Sequence, residues 1–473
     1  MEKINFGTDG YRAIIAEQFT FNTVQQIALG FAKFLQESKH TNKEIAIGYD
    51  TRFLSDKFAI IFAKTLATHN IKSFVSKPFI PTPVLSYYTY SKKLPFGVMI
   101  TASHNPPEYN GIKFKAKYGG PILGDIIKTL EKYVNSISAK DFSSPINFDI
   151  QNDSEIKIVD MLKPYFQQIS SYINIDTIKK SNLRIIVDAM YGAGIDILPK
   201  ILNGGKCQII NLRNYKNPYF DGIGPEPMPE TLGELSLAVI KQKADIGIAF
   251  DGDADRFGII ASNGEFITLH ELIPLLVQYL IQTRGWDGDI VKTTSTADVI
   301  DKIAQKYSRD VIETPVGFRY ICKQMLNKNI LLGGEESGGI GFKNHIPERD
   351  GILSALLLLE MIASSKMSLL EHLKKLRKEF GKVYYKRIAQ IFDKNKLKEN
   401  VQNLKVSPPK KIAFLDIIST SDKDGVKFFL KDGSWVLMRI SDTEPVGRIY
   451  VYSHSNKEVK RIMDSAQNLL FKK

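Results

Sequence analysis

The chain has 473 residues, 43% hydrophobic and 24% charged, and its 64 Lys+Arg against 51 Asp+Glu leave a formal net charge of +13. That length exceeds one core and implies about two to four domains, while the composition is that of an ordinary folded soluble chain, which excludes a largely disordered one. The lysines are scattered singly or in pairs such as Lys92-Lys93 and Lys410-Lys411, so the charge reads as solvated surface and does not argue for a nucleic-acid partner.

Met1 to Asn5 has no apolar stretch of signal-peptide length, so no leader is expected. Phe6-Gly7-Thr8-Asp9-Gly10-Tyr11-Arg12 brackets a polar turn with two glycines and ends in an arginine whose fork suits a phosphate; a turn with one solvated arginine reads the same way. Val24, Ile27, Phe31, Phe34 and Leu35 fall at helical spacing and predict a helix over 21–37. A strand over 44–50 ends in Asp50, followed by Thr51-Arg52; a helix over 55–69 and the prolines of 78–83 lead to the next strand. That strand, Gly97 to Thr101, breaks off in Ala102-Ser103-His104-Asn105-Pro106-Pro107, where the prolines forbid an immediate helix. Ser103 is therefore a candidate phosphoryl or acyl carrier, with a polar β-turn as the alternative.

Residues 138–154 are polar and aperiodic and read as a linker. The α/β pattern then restarts. Strands are expected at 183–188, 207–212 and 244–250, with a helix over 232–243, and the last strand runs into Asp251-Gly252-Asp253-Ala254-Asp255-Arg256. Three carboxylates at alternate positions can converge on one hard cation. A calcium loop is excluded because its required glycine and glutamate are replaced by Arg256 and Ser262, and magnesium fits better. A third round has strands at 257–261, 289–293 and 311–314, helices at 270–283, 297–306 and 318–327, and the Gly-rich acidic loop Gly333 to Gly339. The apolar run Gly351 to Leu359 is too short to span a bilayer and reads as a buried helix. The rest is α+β, with strands at 412–420, 426–430, 435–440 and 448–453 and a helix over 458–471. Cys207 and Cys322, the only cysteines, imply neither a disulfide framework nor a zinc site and fit a reducing cytoplasm.

GTDGYR, TASHNP, DGDADR, GEESGG and RISDTEP, in this order along the whole chain, resemble the motifs of the α-D-phosphohexomutase family. The resemblance implies three related α/β domains with mixed sheets (1–149, 150–256, 257–373) and a smaller α+β C-terminal domain (374–473) around a central cleft. It implies that Ser103 is a phosphoserine which, with Asp251, Asp253 and Asp255, binds Mg²⁺, and that Arg12, Lys113 and His104 assist beside it. Arg256, Gly317, Arg319, Glu335, Ser337 and Arg448 would contact the sugar phosphate, and Arg439, Ser441 and Thr443 its existing phosphate. The implied reaction interconverts hexose 1- and 6-phosphates, with glucose 1,6-bisphosphate as intermediate and activator, in a cytoplasmic monomer or homodimer that engages neither membrane nor nucleic acid.

GEESGG looks more like the glucose enzymes than the mannose or glucosamine enzymes, whose loops usually read GEMSGH or GEQSGH; Gly339 stands where those have histidine. Mannose or glucosamine specificity and a weakly active phosphosugar-binding paralogue are the alternatives. Asp442 departs from the family, which usually has glycine there. A carboxylate about 4 Å from a phosphate charge repels it by about 1 kcal/mol in water and about 4 kcal/mol at an effective dielectric near 20, so Asp442 is expected to point away from the ligand or pair with Arg448.

Overall fold

The computed structural model describes residues 3–7, 9–38, 42–142, 148–150, 153–441 and 445–472. Its strands form four sheets. In the first, Ile45–Tyr49 pairs in parallel with Ser73–Ser76 and Phe96–Ile100, and Tyr109–Ala116 runs antiparallel to Phe96–Ile100. Alternation sends Ile45, Ile47, Val98 and Ile100 to one core and Ala46 and Met99 to another, so both faces are buried. The first core lies under the helices Phe21–Glu37, Ser55–Ala67 and Gly124–Asn135; the second is continuous with the cores of the following units. The second and third sheets are likewise mixed, and the C-terminal sheet is antiparallel throughout. The expected fold class is thus the observed one.

Several local expectations change. Pro81-Thr82-Pro83 does not merely connect: it opens the helix Thr82–Ser91, because proline in a first turn gives up only an N–H that has no partner there. Tyr109–Ala116 is a full strand, invisible as such because its polar members Asn110, Lys113 and Lys115 are buried. Phe257–Ala261 returns antiparallel to Ile246–Phe250, which makes Asp251–Arg256 a hairpin loop within the second sheet. Ile156–Val159 pairs with Ser73–Ser76 and so belongs to the first sheet, and the helix Leu369–Phe380 runs through position 373. On this pairing we propose unit junctions after Val159, Ile267 and Phe380. The strand Tyr384–Ile391 and the helix Lys394–Val406 complete the last unit. The apolar helix Gly351–Ser365 is buried, and among the described residues no single helix is long and apolar enough to cross a membrane.

The helices Phe21–Glu37 and Gly124–Asn135 cross at Gly30, where a Cβ would lie 2.5 Å from the Val134 Cα. Alanine gains about 1 kcal/mol of helix propensity over glycine, but overpacking against backbone costs about 1–3 kcal/mol. Gly30→Ala is therefore expected to lower the urea midpoint, and a raised midpoint would contradict this crossing.

Candidate active site

Ser103 sits in the turn between Phe96–Ile100 and Tyr109–Ala116, fully buried and in the left-handed region at φ +54. That conformation costs a non-glycine residue about 1 kcal/mol or more, so the surroundings must hold it. Its N–H donates to Thr101 Oγ1 at 2.9 Å, and that hydroxyl donates to Asp50 at 2.6 Å. Arg52 does the rest. Its Nη2 donates to the carbonyls of Ser103 (2.7 Å) and Asn105 (2.6 Å), and its Nη1 to those of Pro106 (2.8 Å) and Tyr109 (3.0 Å). In the sequence Arg52 is only part of a strand-end turn. The available signal is an arginine directly after a strand whose aspartate also has to be buried.

The Ser103 hydroxyl donates to Asp251 Oδ2 at 2.9 Å, and His104 Nδ1 lies 3.5 Å from the same Oγ. The two loops touch closely: a Cβ on Gly252 would lie 2.3 Å from the Ser103 carbonyl oxygen. Asp251, Asp253 and Asp255 are fully buried, with one ligand oxygen from each within 4.8 Å of the others. Lys113 Nζ bridges Asp253 (2.7 Å) and Asp255 (2.9 Å) and lies 3.3 Å from Asp9. Arg349 Nη2 joins Asp255 (2.7 Å) to Asp9 (2.8 Å), and its Nη1 lies 3.6 Å from Glu335. Neither Asp9 nor Arg349 is a site residue on sequence grounds, although Pro347-Glu348-Arg349-Asp350, a charged cluster opening a buried helix, is a usable sign.

Burial pushes Asp251 well above the usual carboxylate range, and the charges of Asp253 and Asp255 push it further. Burial opposes the Lys113 ammonium, yet Asp253, Asp255 and Asp9 raise it above the ordinary lysine range. His104 is held well below the ordinary histidine value by burial, then by Arg256 and Arg12. Asp253 Oδ1 and Asp255 Oδ1 are buried without a hydrogen-bond partner. Leaving such acceptors unpaired costs about 1–3 kcal/mol each, and a hard divalent cation satisfies both. The three aspartates therefore fit a metal.

The other predicted residues lie on loops and strands of all four units. Arg12 donates to Asn105 of the serine loop at 3.0 Å. Arg256 lies 3.5 Å from Glu226, which Arg387 of the last unit also reaches at 3.2 Å. The backbone N–H of Gly317 donates to Glu335 at 3.1 Å. Ser337 is half-buried in the same Gly-rich loop, and Arg319 donates to Tyr320 at 2.9 Å. Arg439 and Arg448 face each other across paired strands, with Ser441 buried at the end of one of them. Asp442 and Thr443 lie outside the described residues.

Family models described as phosphoglucomutase/phosphomannomutase, alpha/beta/alpha domains I, II and III and C-terminal domain, match residues 3–141, 163–264, 269–380 and 401–469. The chain is 30% identical, over 98% of both chains, to a phosphoglucomutase/phosphomannomutase of Thermococcus kodakarensis. It is 31% identical to a Pyrococcus horikoshii protein named as a probable phosphoglucosamine mutase, covering 98% of this chain and 97% of that one. A solved structure from Thermus thermophilus, described provisionally as a phosphomannomutase, matches with a TM-score of 0.86 at 31% identity over 99% of each chain. The chain belongs to the phosphoglucomutase/phosphomannomutase family. It is accordingly an enzyme, a phosphotransferase of the isomerase type.

Arg52→Lys keeps the charge but loses the fork that gathers the carbonyls. A site group displaced by about 1 Å can cost up to about a hundredfold in rate, so mutase turnover should fall by that order while far-UV circular dichroism stays native. Wild-type turnover in this variant would show that the fork does not position the loop.

Proposed function

We propose that the protein interconverts hexose 1-phosphate and hexose 6-phosphate through a phosphorylated Ser103, with glucose phosphates as its preferred substrates. The observation that carries the mechanism is the contact between Ser103 Oγ and Asp251 at 2.9 Å, at the edge of a carboxylate cluster that fits a divalent cation. Mg²⁺ held by Asp251, Asp253 and Asp255 would supply a positive charge to an oxygen of the transferring phosphoryl group.

The chain's own groups divide the remaining work. As the Ser103 O–P bond breaks, a bond forms from phosphorus to a sugar hydroxyl, whose proton must leave, and the serine alkoxide must be protonated. The proton the sugar hydroxyl loses equals the one Ser103 gains, so the exchange balances, and His104 Nδ1, at 3.5 Å from Oγ and kept neutral by burial, is placed to hydrogen-bond that oxygen during it. Lys113 neutralises the aspartates, and Arg12, through Asn105, stands over the serine loop. Glu335, steadied by the Gly317 N–H and by Arg349, presents a carboxylate to sugar hydroxyls. Arg439 and Ser441 hold the phosphate that is not transferred. The bisphosphate then turns over in the site and returns its other phosphoryl group to Ser103.

The glucose preference rests on the loop at 335–339. The relatives' printed activities span glucose, mannose and glucosamine phosphates and do not choose among them. What supports glucose is the way Gly339 is used: a Cβ there would lie 2.3 Å from Arg349 Cδ, so the arginine stem fills the space a larger residue would take and brings a guanidinium beside Glu335. Arg349 is already engaged by Asp9, Asp255 and Glu335, so Gly339 acts by deciding where the Glu335 carboxylate meets the sugar hydroxyls.

In a coupled assay with Mg²⁺ and trace glucose 1,6-bisphosphate, wild type should convert glucose 1-phosphate, Ser103→Ala should not, and EDTA should abolish turnover until Mg²⁺ is restored. Conversion by Ser103→Ala would remove the carrier. Gly339→His should displace Arg349 and lower kcat/KM for glucose 1-phosphate by about tenfold or more relative to glucosamine 1-phosphate; an unchanged ratio would sink the glucose assignment.

A further inference from the structure

The turn 422–427 of the last unit lies against the third unit at several points. Lys427, buried beneath Trp435, donates to the Thr294 carbonyl at 2.8 Å, and Lys423 donates to the Glu313 carbonyl at 3.2 Å. Between them, Asp424 does two things with one oxygen. Its Oδ2 lies 2.9 Å from Nε of Arg439, within its own sheet, and accepts the Val316 backbone N–H of the neighbouring unit, also at 2.9 Å. The next N–H along, that of Gly317, goes to Glu335. Two consecutive amides at the start of the helix Phe318–Asn327 thus hold two carboxylates, one belonging to the sugar loop and the other to the phosphate arginine. Gly425, at φ +81, lets the turn close on Arg439: a Cβ there would lie 2.2 Å from the Met438 carbonyl oxygen.

We infer that Asp424 is a positioning residue that orients the Arg439 guanidinium for phosphate and sets its distance from Glu335 by docking the last unit on the 315–317 turn. This rests on the proposal that Arg439 binds the substrate's phosphate. The contact at Nε is an ion pair without hydrogen-bond geometry, and Tyr450 is a second partner of the guanidinium, so Asp424 steers the planar fork by charge from one side. A side chain with this much rotamer freedom otherwise loses entropy on binding, and fixing it beforehand improves affinity without a new ligand contact. Because the same carboxylate oxygen also binds Val316, the arginine is aligned only when the two units are docked, so phosphate affinity and docking are coupled.

The test is a cycle of Asp424→Ala, Arg439→Met and the double variant, read by KM and kcat for glucose 1-phosphate and by calorimetric binding of inorganic phosphate. The expected result is a KM about tenfold or more higher for Asp424→Ala with kcat little changed, a similar loss of phosphate affinity, and a double variant no worse than Arg439→Met alone. Asp424→Asn, nearly isosteric, takes its place in the same cycle if the alanine variant does not fold. A raised KM in Arg439→Met with an unchanged KM in Asp424→Ala overturns the positioning role and leaves the phosphate assignment standing. An unchanged KM in Arg439→Met overturns both. A loss confined to kcat and thermal stability, or additive effects in the double variant, also overturns the positioning role.

Discussion

Packing the carboxylates of Asp9, Asp251, Asp253, Asp255 and Glu348 together inside the protein is the condition on which the rest of the architecture depends. An isolated buried carboxylate is expensive, and breaking a buried pair costs about 3–5 kcal/mol, so each must meet a cation or a hydrogen-bond donor, as Asp251 meets the Ser103 hydroxyl and the Arg256 N–H. No single segment supplies the cations. Lys113 and Lys115 come from a strand of the first unit and Arg349 from the head of a buried helix in the third, while the aspartate triplet comes from a hairpin of the second. Satisfying the charges therefore fixes three units against one another. The carboxylate oxygens left without a hydrogen bond, one each on Asp253 and Asp255, are the demand a divalent cation meets.

The same junction explains why strain is concentrated there. Ser103 and Ala254 both adopt left-handed backbone, at φ +54 in each case, on the two loops that touch at Gly252. Such residues cost of order 1–3 kcal/mol and persist only where the surroundings impose them. Around Ser103 the imposition is visible as the Arg52 fork and the Thr101 and Asp50 bonds. A hydroxyl aimed by strain and fixed bonds has little reorganisation left to make.

Much of this was legible in the sequence. The strands ending in Ser103 and Asp251 stood out because an apolar β-branched run stops at a polar turn, and the three carboxylates at alternate positions offered ligands to one hard cation, with a solvated acidic turn as the other reading. The resemblance then supplied fold and order. What stayed hidden was long-range pairing. Phe257–Ala261 looks like the first strand of a new unit until its antiparallel partner is known, and Tyr109–Ala116 looks like a polar loop until Lys113 and Lys115 are seen to be buried against acids from elsewhere. Arg349 and Asp424 are ordinary charged residues locally; their roles depend on partners 94 positions away at Asp255 and 108 positions away at Val316. Local propensity carries no record of such partners.

The central claim is that Ser103 carries a phosphoryl group beside the aspartate cluster and passes it to a sugar. The most direct measurement is the intact mass and peptide map of the wild-type enzyme after mixing with glucose 1,6-bisphosphate and Mg²⁺, before and after a chase with excess glucose 1-phosphate. The account predicts one phosphoryl group, on Ser103, that leaves the protein during the chase and appears in bisphosphate. A phosphoryl group on another residue, or one on Ser103 that survives the chase, would contradict it.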